Sequence, residues 1–158
     1  MKSIKSVLFV CMGNICRSPT AEAVFKQKAQ QYKLDIFIDS AGTIAYHQGN
    51  APDPRSVKAG EARGLSFAGF SARQVVDADF STFDLILAAD YSNLNDLTAR
   101  CPAKHQHKLK MILAFGNTGT EEVPDPYYGG ERGFETVIDL LENSLTALAQ
   151  KCHQNDVI

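Results

Sequence analysis

The sequence predicts a three-layer α/β fold, with a central four-stranded parallel sheet flanked by helices. Two observations carry that expectation. Strand-like and helix-like segments alternate along the chain, an order that calls for a parallel sheet covered on both faces. The first strand segment, Lys5 to Val10, is apolar on both sides, as a buried parallel strand should be.

A polar, glycine-containing loop follows that strand, and Ser18-Pro19 then offers an N-cap and a first helical position. Ala21, Val24, Phe25 and Tyr32 recur behind it at helical spacing. No glutamate or glutamine stands three residues after Ser18, so the cap is expected to rest on Ser18 alone. Asp35 to Asp39 alternates as a second strand. Asp53-Pro54 opens another helix that ends near Gly64. Phe83 to Ala89 is the expected central strand, Ser92 to Arg100 a helix, and Lys110 to Phe115 the fourth strand. Gly116 to Gly130 holds four glycines and two prolines and reads as a long surface loop. Phe134, Val137, Ile138, Leu141, Leu145 and Leu148 then mark the last helix. Ligands of such sheets bind outside the carboxyl ends of the strands, where the loops after the first and fourth strands open.

The chain has 158 residues, a length expected to make one domain, 1–158, with a full hydrophobic core. A 44% hydrophobic and 22% charged composition excludes disordered and fibrous classes. The net charge of -2 gives no general attraction to nucleic acid or acidic lipid, yet leaves room for one positive pocket. The apolar run Val7-Leu8-Phe9-Val10 is too short for a secretory signal, and no stretch approaches the roughly 20 apolar residues of a membrane span. A cytoplasmic location is expected. The four cysteines, Cys11, Cys16, Cys101 and Cys152, fit free thiols in a reducing compartment better than disulfides. Cys11 and Cys16 lack a second close ligand pair, so no zinc site is expected.

The informative segment is Cys11-Met12-Gly13-Asn14-Ile15-Cys16-Arg17-Ser18-Pro19. Between a buried strand and a helix start the backbone must turn tightly, and Gly13 and Asn14 are best able to take unusual φ values. Successive N–H groups of such a loop converge on an anion, and the helix dipole adds positive potential. It is thus an oxyanion-binding loop after the first strand, with Met12, Gly13, Asn14, Ile15, Cys16 and Ser18 as its backbone. An ordinary cysteine is only about 3% thiolate at neutral pH. Full ionisation therefore gains at most roughly 30-fold, and the rest must come from positioning and electrostatics. Arg17 suits that task, since its planar fork holds two phosphoryl oxygens at once. The loop lacks the glycine-rich run ending Gly-Lys-Ser or Gly-Lys-Thr of nucleotide-binding loops.

Together with Asp39-Ser40-Ala41-Gly42-Thr43, Asp90 with Asn93, and Asp125-Pro126-Tyr127-Tyr128, this loop resembles the low-molecular-weight protein tyrosine phosphatases. The resemblance covers essentially the whole chain. It implies phosphotyrosine hydrolysis through a cysteinyl-phosphate, with Cys11 as nucleophile, Arg17 as phosphate clamp and Asp125 as general acid then general base. It implies that Asn14 and Ser40 brace the loop, that Asp90 supports it, that Ser18 stabilises the thiolate, and that Cys16 has a redox role. Tyr46, Tyr127 and Tyr128 are expected as aromatic walls of the substrate pocket. No metal or other cofactor is implied. The expected partners are a phosphotyrosine protein and an inorganic oxyanion in the loop, and the expected state is a monomer.

One departure stands out. Gly69-Phe70 lies where the resemblance calls for a histidine before Ala72-Arg73-Gln74, so Phe70 must pack rather than hydrogen bond. Two other functions fit parts of the pattern. A thioredoxin-coupled arsenate reductase uses a similar loop but needs a close late pair of resolving cysteines, which Cys101 and Cys152 do not form. A phosphotyrosine-binding module would need neither a nucleophile nor a general acid.

Overall fold

Alternation of side chains along the first strand decides the layering. β1, Ser6–Cys11, is buried along its whole length. Val7, Phe9 and Cys11 join one apolar cluster, and Leu8 and Val10 join the other. The computed structural model describes residues 3–126, 130–156 and 158. In chain order they form β1, α1 Arg17–Gln31, β2 Phe37–Gly42, α2 Pro54–Glu61, α3 Asp77–Thr82, β3 Leu85–Ala88, α4 Tyr91–Arg100, β4 Leu109–Met111 and α5 Gly133–Gln154.

The strands pair in the order β2-β1-β3-β4, all parallel. One apolar cluster buries Phe25 of α1 and Ile138, Leu141 and Leu145 of α5 against β1 and β3. The other buries Phe80 of α3 and Leu97 of α4. Phe9 and Phe25 meet edge to face at 5.8 Å across the first layer. Each such fully buried side chain contributes roughly 1.5–3 kcal/mol against its exposed state. Because successive connections leave β1 on opposite sides, the strand order reverses there. That reversal opens a crevice beyond the carboxyl ends of β1 and β3.

Several boundaries differ from the sequence expectation, each for a tertiary reason. The second strand runs Phe37–Gly42 rather than 35–39, because it pairs from Ser6↔Phe37 through to Cys11↔Gly42. The fourth strand stops at Met111 and turns into a 3-10 segment, Ile112–Ala114. There the buried Ser144 hydroxyl of α5 donates to the Ile112 carbonyl at 2.7 Å and draws the chain off the sheet edge. Helix α3 and the 3-10 segment Ala103–Lys108 had no apolar periodicity to announce them. Ser18 is not an N-cap: α1 begins at Arg17, its N-cap is Cys16, and no side chain caps it. The 116–130 loop is not wholly superficial, since Val123 is buried and its N–H donates to the Ala89 carbonyl at 2.8 Å.

α2 starts as expected. The Asp53 carboxylate accepts from the Arg55 N–H at 2.8 Å, and its own N–H donates to the Ile15 carbonyl at 2.7 Å. One residue thus caps a helix and ties it to the loop after β1. Hydrogen bonds from the Arg55 side chain, against the opposing effect of burial, hold the Asp53 carboxyl below its ordinary value. A depressed acid contributes stability above its unfolded pKa and loses it as pH falls through the folded one. Asp53→Ala should therefore cost about 1–2 kcal/mol in urea unfolding at neutral pH, as lost N-caps do. The gap from wild type should narrow as the pH drops below the ordinary carboxylate range, and a gap that widened on acidification would contradict this linkage.

Candidate active site

Strand β1 ends at Cys11 and α1 begins six residues later, so the chain must fold back within residues 12–16. Asn14 makes the turn, with φ at 58°, in the left-handed region that asparagine tolerates. Gly13, the other residue expected to take unusual φ, has no positive φ. Its value is space, because an added Cβ would lie 2.9 Å from the His47 ring.

The loop is held on two sides. The Thr43 and Ile44 N–H groups donate to the carbonyls of Cys11 and Met12 at 2.9 and 3.1 Å. The buried Asn14 side chain donates to Ser18 Oγ at 2.7 Å and to Ser40 Oγ at 3.0 Å. Its Oδ1 accepts from the Arg73 N–H at 3.0 Å. Both N–H groups and the oxygen of the amide are therefore engaged within the protein, which also settles its orientation.

Cys11 Sγ lies at the floor of the cup, 3% exposed as a residue. The Asn14 N–H donates to it at 3.3 Å, and Ser18 Oγ lies 3.0 Å away. Ser18 Oγ accepts from Asn14, and its proton has two acceptors in reach, the sulfur at 3.0 Å and the more distant Ala41 carbonyl at 3.4 Å. Arg17, at the first position of α1, is buried and donates through Nη1 to Asp90 Oδ2 at 2.8 Å and to the Val123 carbonyl at 3.1 Å. Nε and Nη2 remain to face an oxyanion. Burial alone would lower the guanidinium pKa, but the Cys11 and Asp90 charges outweigh it and raise the value. Asp90 serves twice, because its Oδ1 also accepts from the Asn93 N–H at 2.7 Å and caps α4.

Asp125 is exposed, and with Met12, Arg17, Asp90, Asn93 and Val123 it lines a cavity of about 280 Å³. A thiol, a fixed guanidinium and a solvent-reached carboxylate around one oxyanion-sized cup suit phosphoryl transfer through sulfur.

The comparisons agree with this geometry. The model of the low molecular weight phosphotyrosine protein phosphatase family matches residues 6–157. The chain belongs to this family. It is 43% identical over 154 residues to the low molecular weight phosphotyrosine protein phosphatase of Gallus gallus, covering 95% of this chain and 97% of that one. Its fold matches a protein tyrosine phosphatase of Entamoeba histolytica, solved with Hepes in the active site, at a TM-score of 0.91. The two are 45% identical, with 96% and 98% of the chains covered. It matches YfkJ of Bacillus subtilis at a TM-score of 0.90, with 38% identity and 99% of each chain covered. The protein is a cysteine-based phosphotyrosine phosphatase.

In the phosphatase Arg17, Asp90 and Asp125, which the family resemblance singled out, line one cavity, while Ser18 lies against Cys11 and Ser40 stands behind the loop. Ile15 is half-buried and Met12 stands exposed on the rim. Cys16 is buried, with its thiol pushed up to about 12 by desolvation and, less strongly, by the Asp53 charge. Tyr46 is 82% exposed at the rim, edge-on to His47 with ring centroids 4.8 Å apart. Tyr127 and Tyr128 lie outside the described residues.

Phe70 packs, as its chemistry requires, edge-on against Phe67 at 5.8 Å. The loop bracing includes residues that no motif announced. Ser40 Oγ donates to the buried Glu22 Oε1 at 2.7 Å. Arg73 ties β2 to α3 through Asp39 and Asp79 at 3.1 and 3.0 Å. Only the Glu22/Lys26 spacing of four residues on a helix hinted at this layer.

Asn14 separates conformational from hydrogen-bonding effects. Asn14→Ala and Asn14→Gly both delete the amide bonds and should slow aryl phosphate turnover alike. Alanine alone pays for the left-handed backbone, so it should be the less stable variant by about 1 kcal/mol in urea unfolding. Equal stability of the two, or full turnover in either, would remove Asn14 from this role.

Proposed function

We propose that Cys11 attacks the phosphorus of phosphotyrosine, that Arg17 holds the equatorial oxygens, and that Asp125 protonates the leaving phenolate and then activates water. The observation that supports this reading is the Cys11 sulfur held by the Asn14 N–H and the Ser18 hydroxyl, next in the chain to Met12, which lines one cavity with Arg17 and Asp125. Atoms balance in two steps. The S–P bond forms as the P–O bond to tyrosine breaks, with a proton passing from Asp125. Water, deprotonated by Asp125, then breaks S–P and releases phosphate.

Position favours Asp125 over Asp90 as the proton carrier, because Asp125 is exposed on the cavity wall whereas Asp90 sits behind Arg17 and caps α4. Tyr46, with Tyr127 and Tyr128, is assigned to the aromatic mouth, whose depth favours the long phosphotyrosine side chain over phosphoserine. The substrate is a phosphotyrosine protein, the enzyme acts as a cytoplasmic monomer of one domain, and an inorganic oxyanion competes for the loop. The free thiols Cys11, Cys16, Cys101 and Cys152 support a reducing compartment. No helix among the described residues is long and apolar enough to cross a membrane.

Cys11→Ser should abolish turnover while keeping vanadate-like oxyanion binding, and Arg17→Lys should lose about 10²-fold or more despite its retained charge. Asp125→Asn should slow the pre-steady-state burst from phosphotyrosine far more than from p-nitrophenyl phosphate, whose leaving group needs less protonation. General acids contribute on the order of 10²- to 10⁴-fold, so the contrast should be plain. Equal slowing with both substrates would exclude Asp125 from the proton transfer.

We also assign Cys16 a protective redox role. Peroxide oxidises the Cys11 thiolate to the sulfenic acid, losing hydroxide, and Cys16 condenses with it to a disulfide, losing water. A Cys16 thiol pushed up to about 12 is protonated at neutral pH, so disulfide closure should accelerate as pH rises. Peptide mass spectrometry should find the Cys11–Cys16 link. Recovery by thiols that is unchanged in Cys16→Ser would reject the role.

A further inference from the structure

Behind the loop, out of reach of substrate, a second line of side chains leads to the same sulfur. Lys26 Nζ donates to Glu22 Oε2 at 2.7 Å, and Glu22 Oε1 accepts from Ser40 Oγ at 2.7 Å. Ser40 Oγ accepts from Asn14, which donates also to Ser18, which lies against Cys11. The five contacts form an unbroken relay from a surface ammonium to the thiol.

The relay has a direction only while Glu22 is anionic. A carboxylate solely accepts, so Ser40 must donate to it, and its oxygen is left to take the Asn14 N–H. A protonated Glu22 can donate to Ser40 instead. The Ser40 proton is then released from the carboxylate, and its hydroxyl no longer presents one fixed acceptor direction to the Asn14 N–H. The side chain of Glu22 is 6% exposed, and burial raises its carboxyl pKa, a tendency opposed by the Lys26 and Ser40 bonds. The charged and polar groups facing it are Lys26 on its own helix and Asp39 and Ser40 on β2. Asp39 is already engaged by Arg73, so Lys26 is the cation that answers Glu22.

Lys26 is placed for this work. Its ammonium lies 4.7 Å from the centre of the Phe70 ring, within cation–π range, and Phe67 backs that ring. A half-exposed, flexible lysine is thereby held between an aromatic face and a carboxylate. We propose that Lys26, seated on Phe70, is a positioning residue for the nucleophile: it keeps Glu22 acceptor-only and so aims the Glu22–Ser40–Asn14–Ser18 relay at the Cys11 sulfur. This rests on the reading of Cys11 as nucleophile.

The test measures alkylation of Cys11 by iodoacetamide near pH 6 and near pH 9, beside kcat and KM for an aryl phosphate. Lys26→Met should slow alkylation near pH 6 by about threefold or more, half a pH unit of thiolate stabilisation, and leave the rate near pH 9 unchanged. kcat/KM near pH 6 should fall by a similar factor, and Lys26→Arg should restore both. Glu22→Gln, whose amide can donate to Ser40, should give the same pH-selective loss. Adding Lys26→Met to it should change nothing more, since both act through one contact. Wild-type alkylation in Lys26→Met at both pH values, equal slowing at both, or multiplicative losses in the double variant would each overturn the proposal. Failure of Cys11→Ser to abolish turnover would instead overturn the underlying assignment, independently of Lys26.

Discussion

The site depends on one amide that makes no bond to substrate. Asn14 bends the chain through the left-handed region, which costs a non-glycine residue about 1–2 kcal/mol. Its three hydrogen bonds, two of them buried and each worth about 1 kcal/mol net, offset that cost. A glycine would turn as easily but would leave Ser18, Ser40 and the Arg73 N–H without their shared partner. The choice of asparagine therefore couples the shape of the loop to α1, β2 and the segment before α3 at once. Where the thiol sits, and which way Ser18 points, follow from that coupling.

Charge is distributed with the same economy. The chain carries a net charge of -2, yet its cup must attract a dianion. A cation at the first position of a helix opposes the dipole and needs a reason to be there. Asp90 supplies it by holding Nη1 from behind while its other oxygen caps α4. The ends of β1 and β3, neighbours at the reversal of strand order, are thus joined through one ion pair. Arg17 keeps its remaining donors for the ligand, and the helix N-terminus adds its partial positive charge beside them.

Legibility in the sequence followed distance along the chain. Strand, loop and helix from Lys5 to Pro19 were readable because their signals are local: an apolar run, a residue suited to positive φ, a proline in the first helical turn. The same locality misled about Ser18. A serine before proline reads as a cap, whereas in the folded loop its hydroxyl lies 3.0 Å from the sulfur, where the family resemblance put it, and caps nothing. Alternation over Asp35 to Asp39 set β2 two residues early at its start and three at its end, because the pairing with β1 that makes Ser40-Ala41-Gly42 strand is not a local signal. Cys11, Arg17, Ser40 and Asp90 could be found because family motifs bring them together. The Arg73 N–H could not, Glu22 and Lys26 were hinted at only by their helical spacing, and Phe70 stood out only as a departure, since their contacts run across the fold.

Chemically similar groups divide their labour by what surrounds them. Asp53 accepts from Arg55, and Asp90 accepts from Arg17 and the Asn93 N–H, so both carboxylates organise backbone. Asp125 reaches solvent on the cavity wall, where protons can be exchanged with substrate and water. The two loop thiols divide in the same way. Cys16 is desolvated and faces the Asp53 charge, conditions that keep a thiol protonated. Cys11 receives an N–H and faces a hydroxyl and a guanidinium, all of them partners for sulfur carrying charge. Four residues separate the two sulfurs, and local polarity, rather than residue type, tells them apart.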